Sequence, residues 1–327
     1  MALGPLITLQ TQVEPLVKEL DKAIKDSSAG IQQALLTAMW QVLHRANKSF
    51  SPAGKELVIK NYLTSSLCNE DSSEVRMAAA YCRAAVLTHV LDKDEARSQL
   101  NAMLDVDSAS ENALHAMMVT INVVVAENGS LHLIGRPATD PLCEKVMQVV
   151  LKAAQHGRAQ ISEIALQTIG RLLCDKNQHE DKQTFDRLLE AVSRSMEAEQ
   201  SADLRRIGLN VLRAIGTDTE ALDHVECHFA KLIPAVLSMV RDRNIPVKLA
   251  AERALLSLLE LSNGEDRLSK CLKVLQPAEA RQLSDYHRRV LVKLVAAEKE
   301  RQLNPDEAQR ENDDAEMAFI TGIPSPV

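Results

Sequence analysis

The chain has 327 residues, of which 46% are hydrophobic and 25% charged, with a formal net charge of −7. That apolar content excludes wholesale disorder, and the acidic balance argues against a dedicated nucleic-acid binder, whose affinity rests on neutralising phosphates. One Trp, three Tyr, four Phe, and only eleven each of Gly and Pro, argue against a β-sandwich or barrel and for helices with short connections.

Taken in chain order, Met1 to Leu16 has neither a basic leader ahead of an apolar run nor a spanning stretch, so no signal or membrane anchor is expected there. From Ile31 onward one pattern recurs. Ile31 is followed by Ala34, Leu35, Ala38 and Met39; Val75 by Ala78, Ala79 and Cys82; Leu114 by Met117, Met118 and Ile121. Ile161 is followed by Ile164, Ala165, Thr168 and Ile169; Leu204 by Ile207, Gly208, Val211 and Leu212; Val247 by Ala250, Ala251, Ala254 and Leu255. Each set lies on one face of a helix of period ~3.6. The anchors at 31, 75, 114, 161, 204 and 247 are 44, 39, 47, 43 and 43 residues apart, the period of HEAT and armadillo units at roughly 40–47 residues.

Three anchors precede a base, Arg76, Arg205 and Lys248, the usual look of a second HEAT helix. Ser73 and Asn244 stand where a cap for the free N–H groups belongs. First helices are predicted near 13–25, 54–68, 93–105, 140–155, 181–197 and 220–240, each joined to its second helix by a polar turn. A shorter apolar segment, 265–275, and a long charged helix, about 277–300, follow; the latter reads as a polar cap on the array. The expected fold is an all-α solenoid of about six HEAT-type hairpins, with the array over 1–300 and an acidic, disordered tail over 301–327. An array open at its N-terminal end is also expected to self-associate there.

Catalytic chemistry is thinly signalled. Phosphate-binding glycine loops, HExxH, GxSxG and kinase signatures are absent from the sequence. The nearest approach to a metal site is His224, Cys227 and His228, close in sequence but without a distant ligand cluster; a helix with one thiol face explains them better. Asp203 with Arg206, and Asp285 with Arg289, read as surface ion pairs. Met117, Met118 and Met147 read as core filler, and so does Trp40. The six cysteines never form CxxC, and most read as buried thiols of a reducing compartment. Two basic clusters remain as candidate partner contacts: Arg241, Arg243, Lys248 and Arg253 around the last repeat turn, and Arg288, Arg289 and Lys293 on the charged helix. Glu316 to Ile320, apolar residues in an acidic setting, has the composition of a short docking peptide or an unstructured end.

The stretch Arg241-Asp-Arg-Asn-Ile-Pro-Val-Lys-Leu-Ala-Ala-Glu-Arg-Ala-Leu-Leu-Ser-Leu-Leu-Glu260 resembles a specific family, as do Gly264-Glu-Asp266 and Ser284-Asp-Tyr-His-Arg-Arg-Val-Leu-Val-Lys-Leu294. It is similar to the C-terminal repeats of the giant HEAT-repeat translational activators of the amino-acid-starvation response. These co-activate the kinase that phosphorylates the alpha subunit of translation initiation factor two. Leu91-Asp-Lys-Asp-Glu95 fits more loosely.

The resemblance implies a cytoplasmic scaffold with no catalytic residue, cofactor, metal or small-molecule substrate, and no membrane. Its expected partners are ribosomes or polysomes and the RWD domain of the starvation kinase. No family residue that touches that kinase maps onto this chain. The alternatives are a HEAT adaptor of another kind, serving transport, a phosphatase or tubulin, and an enzyme built on His224, Cys227 and His228.

Overall fold

A computed structural model describes residues 13–45, 50–63, 66–106, 110–136, 139–175, 181–260 and 267–289. The chain divides into two compact units, Met1–Glu265 and Asp266–Val327. Among the described residues every regular element is helical, and no helix is long and apolar enough to cross a membrane.

The first unit is a run of helical pairs. The first pair is α1 (Glu14–Lys25) with α2 (Ala29–His44). The second is α3 (Pro52–Val58), continued by a wider π-type turn at Ile59–Leu63, with α4 (Ser73–Ala85). The next two are α5 (Lys93–Val106) with α6 (Glu111–Leu133), and α7 (Pro141–Ala154) with α8 (Ala159–Leu173). Then come α9 (Lys182–Ser195) with α10 (Ala202–Thr217). In the last pair α11 (Thr219–Val225), a 3-10 turn at Glu226–His228 and α12 (Phe229–Met239) together face α13 (Ile245–Glu260). The second unit holds α14 (Arg267–Val274) and α15, residues 277–289.

Two predicted first helices, 54–68 and 220–240, are therefore broken into shorter pieces. Pro234 lies inside α12 and removes a backbone donor there. The charged helix is described only to 289, and the predicted tail lies outside the described residues.

Polar turns start the helices where the sequence places short side chains. Ser51, Ser110, Asp140, Asp181, Ser201, Asp218 and Asn244 each accept a hydrogen bond from a backbone N–H two or three residues on. The cap of α4 is Ser72, whose Oγ accepts from Val75 N at 3.3 Å, one residue earlier than expected. Ser73 is already the first helical residue.

The second helices pack in chain order, α2–α4–α6–α8–α10–α13, as one continuous layer. The predicted stripe faces these neighbours: Val75, Ala78, Ala79 and Cys82 are buried, as are Ile207, Gly208, Val211 and Leu212, and Val247, Ala250, Ala251, Ala254 and Leu255. In α2 the register differs. Ile31 and Ala34 are exposed, and Leu36, Met39, Val42 and Leu43 carry the core, because among the described residues no helix packs on that side. Met117, Met118 and Met147 are buried filler, as expected. Four thiols (Cys68, Cys82, Cys143, Cys271) are buried, whereas Cys174 is half-buried and Cys227 exposed.

A polar link crosses each junction between successive first helices. Ser51 Oγ donates to Glu14 Oε2 at 3.0 Å, and Lys55 meets Glu95 at 2.9 Å. Arg97 meets Asp140 at 2.6 Å, Arg187 meets Glu144 at 3.2 Å, and His228 Nε2 meets Asp186 at 2.9 Å. Such part-exposed links contribute under about 1 kcal/mol each. Burying one Leu, Val or Met contributes about 1.5–3 kcal/mol. The apolar second layer therefore carries the stability, and the polar links fix which helix meets which.

Among the described glycines, a neighbouring backbone comes closest at Gly216, where an added Cβ would lie 2.7 Å from the backbone carbonyl carbon of Ser257. We expect Gly216→Ala to lower stability by about 1–3 kcal/mol, since backbone cannot step aside. Gly30 has no atom within 4 Å of such a Cβ, so Gly30→Ala is expected to be neutral or to add about 0.4–1 kcal/mol. Urea midpoints of the two variants check the contrast.

Candidate functional site

The turns between paired helices line one edge of the array, and a buried polar network shapes them. Arg76 is fully buried, yet its Nη1 donates to the carbonyls of Glu70 and Asp71 at 2.5 and 3.1 Å. The guanidinium thus ties down the turn that leads into its own helix. Its Nε faces His115 Nδ1 at 3.4 Å. Asn112 Nδ2 donates to Asp71 Oδ1 at 3.4 Å, and Arg158 Nη1 donates to Asn112 Oδ1 at 3.0 Å, so this edge is stitched across three repeats.

The same device recurs in the fifth repeat. Arg205 donates to the carbonyl of Gln200 in its own turn. Its Nε and Nη2 then meet Asp242 Oδ2 in the next turn, at 3.0 and 2.9 Å. Both side chains are nearly out of solvent, at 13% and 10% exposure. Asp242 Oδ1 also accepts from Asn244 N at 2.8 Å. The acidic residue in the middle of the last turn is therefore turned inward and its charge is engaged.

That orientation decides the character of the candidate surface. Arg241, Arg243, Lys248 and Arg253 are all exposed, and Asp242 does not neutralise them on the outside. Ile245 and Leu249 are exposed beside them, at 68% and 47%. Ile245, Leu249 and Arg253 are spaced by four residues, so they share one face of α13. The surface is thus basic with apolar side chains interleaved, a composition that charge alone does not suggest. Arg288 and Arg289 are exposed on α15, where Arg289 Nε donates to its own helix at Asp285 O. Lys293 and the segment Glu316 to Ile320 lie outside the described residues.

The sequence-local metal candidate does not form. His228 is taken by Asp186 of the preceding repeat. The His224 ring lies tilted against Phe185 with centroids 5.7 Å apart, and the exposed Cys227 thiol donates to His224 O. Asp203 and Arg206 pair at 3.4 Å on the surface, as expected.

A different group converges at the opposite ends of the second helices. His44 closes α2, His89 sits in the π-type turn Val86–Val90 that extends α4, and Glu127 lies in α6. Their ligand atoms all lie within 4.8 Å of one another. Burial pushes the Glu127 carboxyl up, but hydrogen bonds from His44 and His89, with their charge, outweigh it and hold the group down at about 2. The hydrogen bond to Glu127 raises His44. Trp40 is half-buried within α2, its ring 5.9 Å from both His44 and Tyr81. No local motif marks this cluster. Its residues are 45 and 38 positions apart, and only the repeat period, applied to helix ends as well as helix starts, points to it.

Comparison with known proteins places the chain. Residues 14–308 match the family described as "Stalled ribosome sensor GCN1-like, HEAT repeats". Protein ILITYHIA of Arabidopsis thaliana is 26% identical over 290 residues, 88% of this chain and 10% of that protein. The eIF-2-alpha kinase activator GCN1 of Saccharomyces cerevisiae is 24% identical over 98% of this chain and 13% of its own length. The stalled ribosome sensor GCN1 of Homo sapiens is 22% identical over 90% and 11%. The chain thus spans about a tenth of the length of these relatives. A solved structure, Kap121p bound to RanGTP, superposes with a TM-score of 0.54 over 91% of this chain and 32% of that one, at 14% identity. That likeness shows the α-solenoid fold alone.

Two outcomes follow from the turn network. Arg205→Ala leaves the largely shielded Asp242 without its cation and held by the Asn244 N–H alone, and since breaking a fully buried pair from one side costs about 3–5 kcal/mol, a loss below that range is expected; the urea midpoint should fall accordingly, while Arg206→Ala changes it little. Burial, then the charges of Arg76 and Arg158, hold His115 at about 4, below its ordinary 6.5. The folded chain therefore keeps His115 neutral while the unfolded chain takes up a proton between pH 6.5 and about 4. Stability is full above that window and falls as pH drops through it, by at most ~1.4 kcal/mol per pH unit. His115→Gln should flatten that part of a stability–pH curve.

Proposed function

The chain belongs to the family of stalled ribosome sensor GCN1-like HEAT repeats, and on that premise we propose that it is a non-catalytic scaffold segment of a cytoplasmic translational regulator. It associates with ribosomes and helps to bring the initiation factor two alpha kinase to them, through that kinase's RWD domain. The mechanism is effective concentration: two partners held on one array meet more often than they would in solution, with no chemistry at the array itself. Relatives named as a stalled ribosome sensor and as a kinase activator support this reading.

The observation that carries it in this chain is the exposed basic surface of Arg241, Arg243, Lys248 and Arg253, from which Arg205 draws the Asp242 carboxylate inward. A cluster of this kind suits a phosphate backbone or an acidic protein face. Arg288 and Arg289, with Lys293, supply a second basic contact on the same reading.

The test is co-sedimentation of the chain with ribosomes at low and moderate salt, alongside capture of the kinase's RWD domain. Changing Arg241, Arg243, Lys248 and Arg253 together to Ala should weaken ribosome association by at least ~10-fold. It should also make the slope of log affinity against log salt shallower by about 3, at ~0.7 for each phosphate no longer neutralised. Unchanged sedimentation of the quadruple variant overturns the assignment of this surface. Capture of the RWD domain by a chain that stays in the light fractions reduces the role to kinase docking.

A further inference from the structure

His44, His89 and Glu127 offer two imidazole nitrogens and a carboxylate from three successive repeats, with ligand atoms within 4.8 Å of one another. His44 Nδ1 stands 3.5 Å from Glu127 Oε1, and His89 Nε2 stands 3.1 Å from Glu127 Oε2. Ligands at about 2.0–2.2 Å from a tetrahedral zinc ion lie roughly 3.3–3.6 Å apart. The two contacts run to different oxygens of the carboxylate and fall within about a few tenths of an ångström of that spacing, so small side-chain rotations suffice to bring one atom of each residue round a shared ion. We propose that these three residues form a binding site for a borderline divalent transition metal, Zn2+ foremost, with the remaining position open to solvent.

Three further features fit the donor set. Two imidazoles and one carboxylate select zinc and its first-row neighbours over calcium and magnesium, which take oxygen ligands. Thr88 Oγ1 lies 3.1 Å from Glu127 Oε2 and 3.0 Å from the carbonyl of Ala84, so the carboxylate has an outer contact that orients it. The side chains are shielded unequally, at 17% exposure for Glu127, 21% for His89 and 43% for His44. The ion would enter from the His44 side and the carboxylate would sit inside.

The π-type turn at Val86–Val90 is the structural reason His89 reaches the group. It adds a residue to the turn and so shifts the register in which α4 ends. The His44 and His89 rings then meet edge-on, with centroids 4.3 Å apart. A bound ion bridges the first, second and third repeats at their helix ends and joins them into one rigid block. The site is independent of the basic surface around Arg241, and the two readings stand or fall separately.

Trp40 supplies a reporter. It is the sole tryptophan of the chain, and its ring lies 5.9 Å from that of His44. The experiment takes the full chain, stripped with a chelator and dialysed, and titrates it with Zn2+ and separately with Co2+. The expected result is one equivalent of Zn2+ per chain, a raised melting temperature, visible d–d absorption of four-coordinate Co2+, and Co2+ quenching of Trp40 emission. His89→Ala and Glu127→Gln should each weaken uptake at least ~10-fold and abolish the quenching, whereas a combined His224→Ala and His228→Ala variant binds as the parent does. Circular dichroism of the metal-free variants verifies that they fold, and His89→Gln replaces His89→Ala if that variant does not. No uptake by the parent overturns the proposal. So does uptake that survives Glu127→Gln and His89→Ala unchanged.

Discussion

Each inner second helix of the array buries apolar surface twice, against the helix before it and the helix after it, and everything else in the first unit depends on that shared burial. No single hairpin can do this. The stripe of α4, α6, α8 or α10 is closed only when both neighbours are in place, so stability accumulates at junctions rather than within repeats. The small residues on the stripe, Ala78 and Ala79 or Ala250 and Ala251, keep the helices close enough for the larger side chains to interlock. At Gly170 an added Cβ would meet the Val211 side chain at 2.9 Å, and at Gly216 it would meet backbone. Tolerance of change therefore differs along one and the same interface.

Polar groups organise what the apolar layer holds. Arg76 and Arg83 are almost completely withdrawn from water, an expensive position for a charge. Each is placed where backbone carbonyls lack helical partners. Arg83 Nη2 donates to Leu63 O at 2.9 Å, at the end of the π-type turn that closes the first helix of its repeat. Arg76 and Arg205 do the same for the turns before their own helices. Their desolvation is offset by hydrogen bonds that would otherwise be missing, and the result is a set of turns with fixed shape. The basic residues of the last turn are displayed by this rigidity.

The two ends of the second helices thus have different chemistry. The turn edge is rich in Arg and is stitched across repeats by Asp71, Asn112, Arg158 and Asp242. The opposite ends gather His44, His89 and Glu127. One edge displays basic side chains to solvent, and the other ties the first three repeats to each other.

The sequence by itself determined the repeat. Six anchors at near-constant spacing, each followed by small or apolar residues three, four and seven positions on, specify a helix, its pairing with the next copy and, in every copy after the first, its buried face. Periodicity is a local property of the chain, and so are capping residues, which is why the turns fall close to their expected places, with the cap of α4 only one residue off. What tertiary structure alone decided is the direction in which individual polar side chains point. Asp242 looks in sequence like a neutralising neighbour of Arg241 and Arg243, yet it faces Arg205, 37 residues away. His224, Cys227 and His228 look like a cluster, yet helix α11 ends between them and Asp186 takes His228. His44, His89 and Glu127 look unrelated, yet stacking brings them together. In each case the deciding partner lies a whole repeat away, and only the packing of one repeat on the next sets that distance.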